Sequence, residues 1–276
     1  MNSNRQKPRS LRSFFLLLLA LSAPLWIFGS IYNVQIFEGL YLFQLPLAMP
    51  MVTALILIYR ENGKAGIVSL LKRTYDFHKI KSKAWYLPIL LLYPSFGFIN
   101  YWIQRWSGAS IPSPHFSLEI FLGYCTVFFM TYGEELGLTG YATEPMQQRY
   151  SALTSGILLG LVWAGYHILG FIISGYFSFE WILWHTLFTV AGRVLFIWIY
   201  NNSGKSLGSM ALLHWSTGLF WSLWPQDNLQ KAVPFYDPFI CALIAISCVA
   251  IVTLLWGSKT LAKFKYARVS HTISEN

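Results

Sequence analysis

Residues 153–174 read LTSGILLGLVWAGYHILGFIIS. No Asp, Glu, Lys or Arg interrupts them, and the run is long enough to cross a bilayer core, which takes about 20 apolar residues as a helix. Its one strongly polar side chain is His167. Four comparable runs precede it, Phe14–Tyr32, Leu40–Tyr59, Trp85–Trp106 and Leu118–Tyr141. Three follow it, Trp181–Tyr200, Leu207–Trp224 and Phe239–Trp256. The pattern predicts an all-α, polytopic transmembrane helical bundle of about eight spans. With no internal repeat and no long linker, residues 1–276 read as a single membrane domain.

Composition points the same way. Apolar residues make up 55% of the chain and charged residues 11%, with a mean hydropathy of +0.48. A water-facing surface needs roughly 25–35% charged residues, so a soluble globule is excluded. The 12 Trp, 16 Tyr and 21 Phe suit aromatic belts at two membrane interfaces. The net charge of +9 is not read as a nucleic-acid footprint, because the basic residues lie between apolar runs. There they face anionic lipid. Cys125, Cys241 and Cys248 all sit inside apolar runs without CxxC spacing and read as small core residues.

The basic residues also give an orientation. Arg5, Lys7, Arg9 and Arg12 precede the first run. Arg60, Lys64, Lys72, Arg73, Lys79, Lys81 and Lys83 follow the second, Arg149 the fourth and Lys205 the sixth. Lys259, Lys263, Lys265 and Arg268 follow the last. The opposite side holds Arg105 and Lys231 alone, and Arg193 falls inside a span. The positive-inside rule then puts both termini in the cytoplasm, and seven or nine spans would scramble the split. The basic start, Leu-rich run and Ala20-Leu21-Ser22-Ala23 resemble a signal peptide. Pro24 follows at once and the apolar stretch runs on to Tyr32, so an uncleaved first helix is the preferred reading. In Ile67–Ile80, the residues Ile67, Leu70, Leu71 and Tyr75 recur at helical spacing among charges. That predicts an amphipathic helix on the cytoplasmic surface.

Ionisable groups inside spans cost about 2.5–3.5 kcal/mol each on insertion scales, so they face a cavity or a partner. Glu134, Glu135, His167, Arg193 and His214 are such groups, with His185 nearer the outer end of its span. The fourth helix is expected to continue to about Glu144, with Pro145 ending or kinking it. At ~1.5 Å per residue, Glu134 lies roughly 15 Å from the cytoplasmic end, His167 about 22 Å and His214 about 12 Å. Three helices thus bring polar groups to middle depths, where one shared site is possible. Adjacent glutamates point about 100° apart on a helix, so Glu134 and Glu135 have different jobs. A buried carboxylate suits a general base for water, and a histidine beside it can orient that water or donate to an oxyanion. Each residue taken alone is as well explained by packing or by a helix-end charge; the argument rests on their convergence.

Glu134-Glu135-Leu136-Gly137-Leu138-Thr139-Gly140-Tyr141 resembles the first motif of the CPBP family, the CAAX prenyl-protein endopeptidases and bacteriocin-processing (Abi) membrane proteins. Trp163-Ala164-Gly165-Tyr166-His167 is similar to the second motif. Phe196–Tyr200, Ser206-Leu207 and Leu212-Leu213-His214 resemble the approach to the third. The resemblance covers residues 66–219, with the motifs in 132–218. It implies that Glu134 and His167 activate water, that His214 donates to the oxyanion, and that Glu135 is a supporting acid. Two positions depart from the family pattern. Thr139 stands where the family has arginine, and Gly218 where it has Asn or Asp, which removes the second oxyanion donor. Arg193, the one basic residue deep inside a span, is a candidate to reach Glu135 and replace the arginine; snorkelling toward the cytoplasm is the alternative.

These readings converge on an intramembrane endopeptidase. It would act on a membrane-associated peptide or lipidated protein substrate, prenylated or of bacteriocin type. A catalytically degenerate relative serving as a peptide-binding, immunity or scaffold protein is the alternative, and a transporter is a third class, disfavoured by the absence of repeats. No cofactor is expected. Zinc held by the two histidines and a glutamate is the alternative, although there is no His-Glu-x-x-His pair. The expected location is a bacterial cytoplasmic membrane.

Overall fold

The computed structural model describes residues 9–32, 34–37, 40–111, 113, 118–175, 177–219 and 236–262. Arg5, Lys7, Lys231, Lys263, Lys265, Arg268 and the end of the seventh run up to Trp224 lie outside the described residues. The protein is an all-α polytopic helical bundle. Its helices are α1 (Leu11–Tyr32), α2 (Met49–Lys72), α3 (Tyr86–Trp106), α4 (Leu118–Gly137), α5 (Glu144–Arg149), α6 (Ala152–Ser174), α7 (Phe179–Asn202), α8 (Leu207–Leu219) and α9 (Pro238–Trp256). Among the described residues, the helical segments at α1, α2, α3, α6, α7 and α9 are long and apolar enough to cross a membrane. The protein is therefore multi-pass. The two remaining long elements, α4 and α8, carry the glutamates and His214.

Each apolar run became a helix because, without water, only a helix satisfies its own backbone. The ends are set by local chemistry. Ser151 and Ser178 accept from the amides of Thr154 and Trp181 to start α6 and α7, and Asp237 does the same for α9. The second run differs at both ends from its expected bounds. Leu40–Tyr41 (β2) pairs with Gln35–Phe37 (β1) in a short antiparallel ladder. Leu42–Ala48 is wound as a 3-10 helix around Pro46, whose missing amide disfavours an α start. At the far end α2 continues past Tyr59 and turns at Gly63, where φ is +63°. The helix resumes to Lys72 and tightens to 3-10 turns over Arg73–Lys79. This is the segment expected to be amphipathic. Leu70 is buried, while Leu71 and Tyr75 are exposed.

The widest departure follows the glutamates. Pro145 neither ends nor kinks the chain. Instead α4 widens into a π-helix over Leu138–Thr143, and Pro145 lies in the first turn of α5, where its missing amide leaves nothing unpaired. Two guanidinium groups close the widened turn. Arg9 Nη1 donates to the carbonyls of Gly140 at 2.9 Å and Tyr141 at 3.2 Å, and Arg73 Nη1 donates to Gly140 at 3.0 Å. Burial, and then Arg73 alongside, lower the pKa of Arg9 from the ordinary arginine value. Tyr141 stacks on Phe14 and donates to Glu61 Oε1 at 2.6 Å, joining α1 and α2 to the same turn.

Gly137, where α4 gives way to the π-helix, lets α2 approach closely: any Cβ there would collide with the backbone carbonyl of Pro50. Gly137→Ala is expected to lower stability by about 1–3 kcal/mol through overpacking. A thermal melt of the purified variant in detergent measures it, and an unchanged midpoint would remove this contact from the account.

Candidate active site

Four helices deliver the polar residues, and each is held by a specific contact. α8 starts on Asp76, which is 3% exposed. Its Oδ1 accepts from Ser206 Oγ at 2.7 Å and from the Gly208 amide at 3.2 Å, and Lys79 Nζ lies 2.8 Å from Oδ2. A carboxylate at a helix N-terminus meets unpaired amides and the positive end of the dipole. The surface segment 73–79 thereby fixes the helix that carries His214. α6 and α7 touch through Gly156 and Gly160. A methyl group at either would stand 2.8 Å from the Cα of Val194 or Val190. This small-xxx-small spacing brings helix backbones together inside a membrane. Gly160 also leaves room for the Cβ of Arg193, 3.2 Å from where a methyl would be.

Arg193 and Glu135 are both 0% exposed. Arg193 Nη1 donates to Glu135 Oε1 at 2.8 Å, and Nη2 donates to Thr139 Oγ1 at 2.9 Å. Thr139 Oγ1 in turn donates to Glu135 Oε2. A guanidinium from another helix thus meets Glu135, and Thr139 completes a ring with the same acid. Snorkelling does not occur. The guanidinium instead lies 5.6 Å from the Trp163 ring centre and 5.1 Å from that of Phe196, adding cation–π attraction. Glu135 Oε1 also accepts from His214 Nδ1 at 3.0 Å. Both of its oxygens are engaged.

Glu134 is placed differently. Its Oε2 accepts from the Trp163 indole at 2.5 Å, and its other oxygen bonds to none of the described residues. His167 Nδ1 lies 3.0 Å from the Trp163 carbonyl. A carbonyl only accepts, so Nδ1 carries the hydrogen, and in the neutral imidazole Nε2 keeps its lone pair. Trp163 is edge-on to His167 and to His214, with ring centres 5.6 and 5.1 Å away. One side chain therefore touches Glu134 and both imidazoles.

His167 and His214 line a cavity of about 210 Å³, together with Tyr93, Trp163, His185 and Tyr236. Glu134 and Glu135 are not among the lining residues; Glu134 meets the cavity wall through Trp163. His185, placed by the sequence near the end of its span, belongs to this wall. Its ring stacks on Trp181 at 4.9 Å, its Nδ1 is 2.9 Å from the Tyr236 hydroxyl, and it lies 6.4 Å from the His167 ring. The places of His185 and Tyr93 were not legible in the sequence, since they depend on which helices adjoin.

Position 218 has no room for an asparagine. A Cβ on Gly218 would collide with the hydroxyl of Tyr124, which donates to the Trp215 carbonyl at 2.7 Å. Thr217 does not stand in either, because its hydroxyl donates to the His214 carbonyl at 2.7 Å. Among the described residues no three His, Cys, Asp or Glu side chains converge as metal ligands, and Glu135 has no open oxygen.

Residues 116–220 match the family model of the Rce1-like type II CAAX prenyl endopeptidases. Over these residues the chain is similar to that family. A protein named CAAX prenyl protease 2, from Methanococcus maripaludis, is 26% identical over 178 residues. The match covers 60% of this chain and 65% of that relative's length. The matched segment contains Glu134, Glu135, His167, Arg193 and His214, and it ends just beyond Gly218.

Removing one partner of a buried ion pair strands the other charge, typically at about 3–5 kcal/mol. Arg193→Ala is expected to destabilise the protein by that amount, and Glu135→Ala in the same chain to recover part of it, as read by thermal melts. Absence of rescue would mean that Arg193 stabilises by packing alone. At the other departure from the family pattern, Gly218→Asn is expected to cost about 1–3 kcal/mol. Combined with Tyr124→Ala it should cost less than the two single losses together, because the pair competes for one space. Additive losses in the double-mutant cycle would refute that competition.

Proposed function

We propose that this protein is a glutamate-dependent intramembrane endopeptidase of a bacterial cytoplasmic membrane, with both termini cytoplasmic. Its substrate is a membrane-associated peptide or the lipidated C-terminus of a protein. The observation that carries this reading is the unequal state of the two glutamates. Glu135 is saturated by Arg193, Thr139 and His214 and has no oxygen left to take a proton from water. Glu134 is held by one indole and keeps an oxygen open. The base is Glu134, and the open Nε2 of His167 accepts a hydrogen bond from the same water. Glu135 orients His214 through Nδ1 and stabilises its imidazolium, as an acid does for histidine in a catalytic triad. Nε2–H of His214 then donates to the carbonyl oxygen of the scissile bond. The matched relative's name, CAAX prenyl protease 2, supports peptide hydrolysis as the reaction class.

The second reading is a degenerate relative that binds a peptide without cutting it, as an immunity or scaffold protein does. Tyr124 occupying the space of the family's second oxyanion donor favours it.

The two readings separate on one experiment. Purified protein is incubated with membrane-soluble reporter peptides, some prenylated, beside Glu134→Ala. Loss of a general base lowers the rate about 10²–10⁴-fold, so cleavage by the wild type is expected to fall by at least about 10²-fold. Cleavage that survives the substitution would exclude Glu134 as the base. No cleavage by either well-folded protein would favour the binding reading.

A further inference from the structure

The cavity beside the histidines contains four hydroxyl-bearing side chains, and three are committed. Thr189 donates to the His185 carbonyl at 2.9 Å, Thr217 donates to the His214 carbonyl at 2.7 Å, and the Tyr236 hydroxyl is 2.9 Å from His185 Nδ1. The fourth is Tyr93 on α3. It is 5% exposed, its hydroxyl is buried, and that hydroxyl has no hydrogen-bond partner among the described residues. Its ring is clamped by Phe96, Phe188 and Phe196, with ring centres 5.6 to 6.0 Å away. Its oxygen is pressed against α7 at Gly192, 2.6 Å from where a methyl group would stand. The aromatic clamp holds the phenol in place, and the missing side chain at Gly192 gives its oxygen space.

A buried hydroxyl left unpaired is destabilising relative to an apolar group of the same shape. Phenylalanine would fill this clamp without that cost. An unpaired donor fixed in advance, in a cavity it shares with His167 and His214, is what stabilisation of a developing charge requires. The donor the family places at position 218 is sterically excluded here, and Tyr124 and Thr217 have their protons engaged elsewhere.

We propose that Tyr93 is the second oxyanion donor of this enzyme, supplied from α3 in place of the side chain absent at Gly218. This rests on the endopeptidase reading above. Water oxygen attacks the scissile carbonyl carbon while its proton passes to the Glu134 carboxylate. The carbonyl π electrons move onto oxygen, and the oxyanion accepts from Tyr93 O–H and His214 Nε2–H. When the intermediate collapses, the C–N bond breaks and Glu134 returns its proton to the leaving nitrogen. The products are an amine and a carboxylic acid, and both donors regain their starting state.

The test is Tyr93→Phe, which keeps the ring and removes the oxygen alone, assayed on the reporter peptide that the wild type cleaves best. The expected result is a kcat about 10²–10³-fold lower, KM within about twofold, and a melting temperature equal to or above that of wild type. A variant with wild-type kcat overturns the role of Tyr93 while leaving the peptidase reading intact. A clear drop in melting temperature overturns it as well, since the hydroxyl would then be serving the fold. A wild type that cleaves no reporter defeats the peptidase reading itself and takes this proposal with it.

Discussion

A charged pair sealed between α4 and α7 governs the arrangement of this bundle. Arg193 and Glu135 have no access to solvent, and in a low-dielectric interior neither is tolerated without the other. Their contact fixes the rotation of both helices about their axes. It needs α6 packed tightly on α7, which Gly156 and Gly160 allow. It also fixes what is left for each neighbour. Thr139 bridges the pair, His214 takes the remaining site on the acid, and Glu134, one residue earlier, is turned away toward Trp163. The difference between the two glutamates follows from this geometry and from helical periodicity, with no further device.

Around that pair, the bundle is closed by groups that answer unpaired backbone. The π-helix after Gly137 leaves carbonyls without partners, and Arg9 and Arg73 arrive from two other segments to accept that task. Asp76 meets the opposite need at the start of α8, where amides are free. Arg73 and Asp76 both belong to the surface segment. A stretch lying outside the long spans therefore holds both the widened turn that follows the glutamates and the helix that bears His214.

Much of this was legible in the chain. Most apolar runs became helices ending within a few residues of the expected points, because the demand for internal hydrogen bonding leaves a long apolar stretch no other choice. Arg193 could be matched to Glu135 in advance, since a lone buried cation needs an anion and the usual arginine was missing. The rest was hidden for physical reasons. Pro145 reads as a stop, and only the preceding π-helix makes its missing amide harmless. Leu71 and Tyr75 share a helical stripe with Ile67 and Leu70, yet only Ile67 and Leu70 pack inward. That the indole of Trp163 touches Glu134 and lies edge-on to His167 depends on how α4 meets α6. Whether the hydroxyl of Tyr93 is satisfied depends on α7 and the aromatic clamp, which no local pattern encodes.

The placing of acid and guanidinium on two helices has a consequence for modularity. In a chain with arginine at position 139, acid and guanidinium would lie in one stretch of sequence and could be exchanged as a unit. Here they belong to two helices, so α4 and α7 are coupled components. A chimaera receiving residues 118–143 from a chain with arginine at the Thr139 position would bury two cations against one carboxylate. The reciprocal graft would bury a carboxylate with none. Recombination that respects helix boundaries would still break this fold unless both helices travelled together.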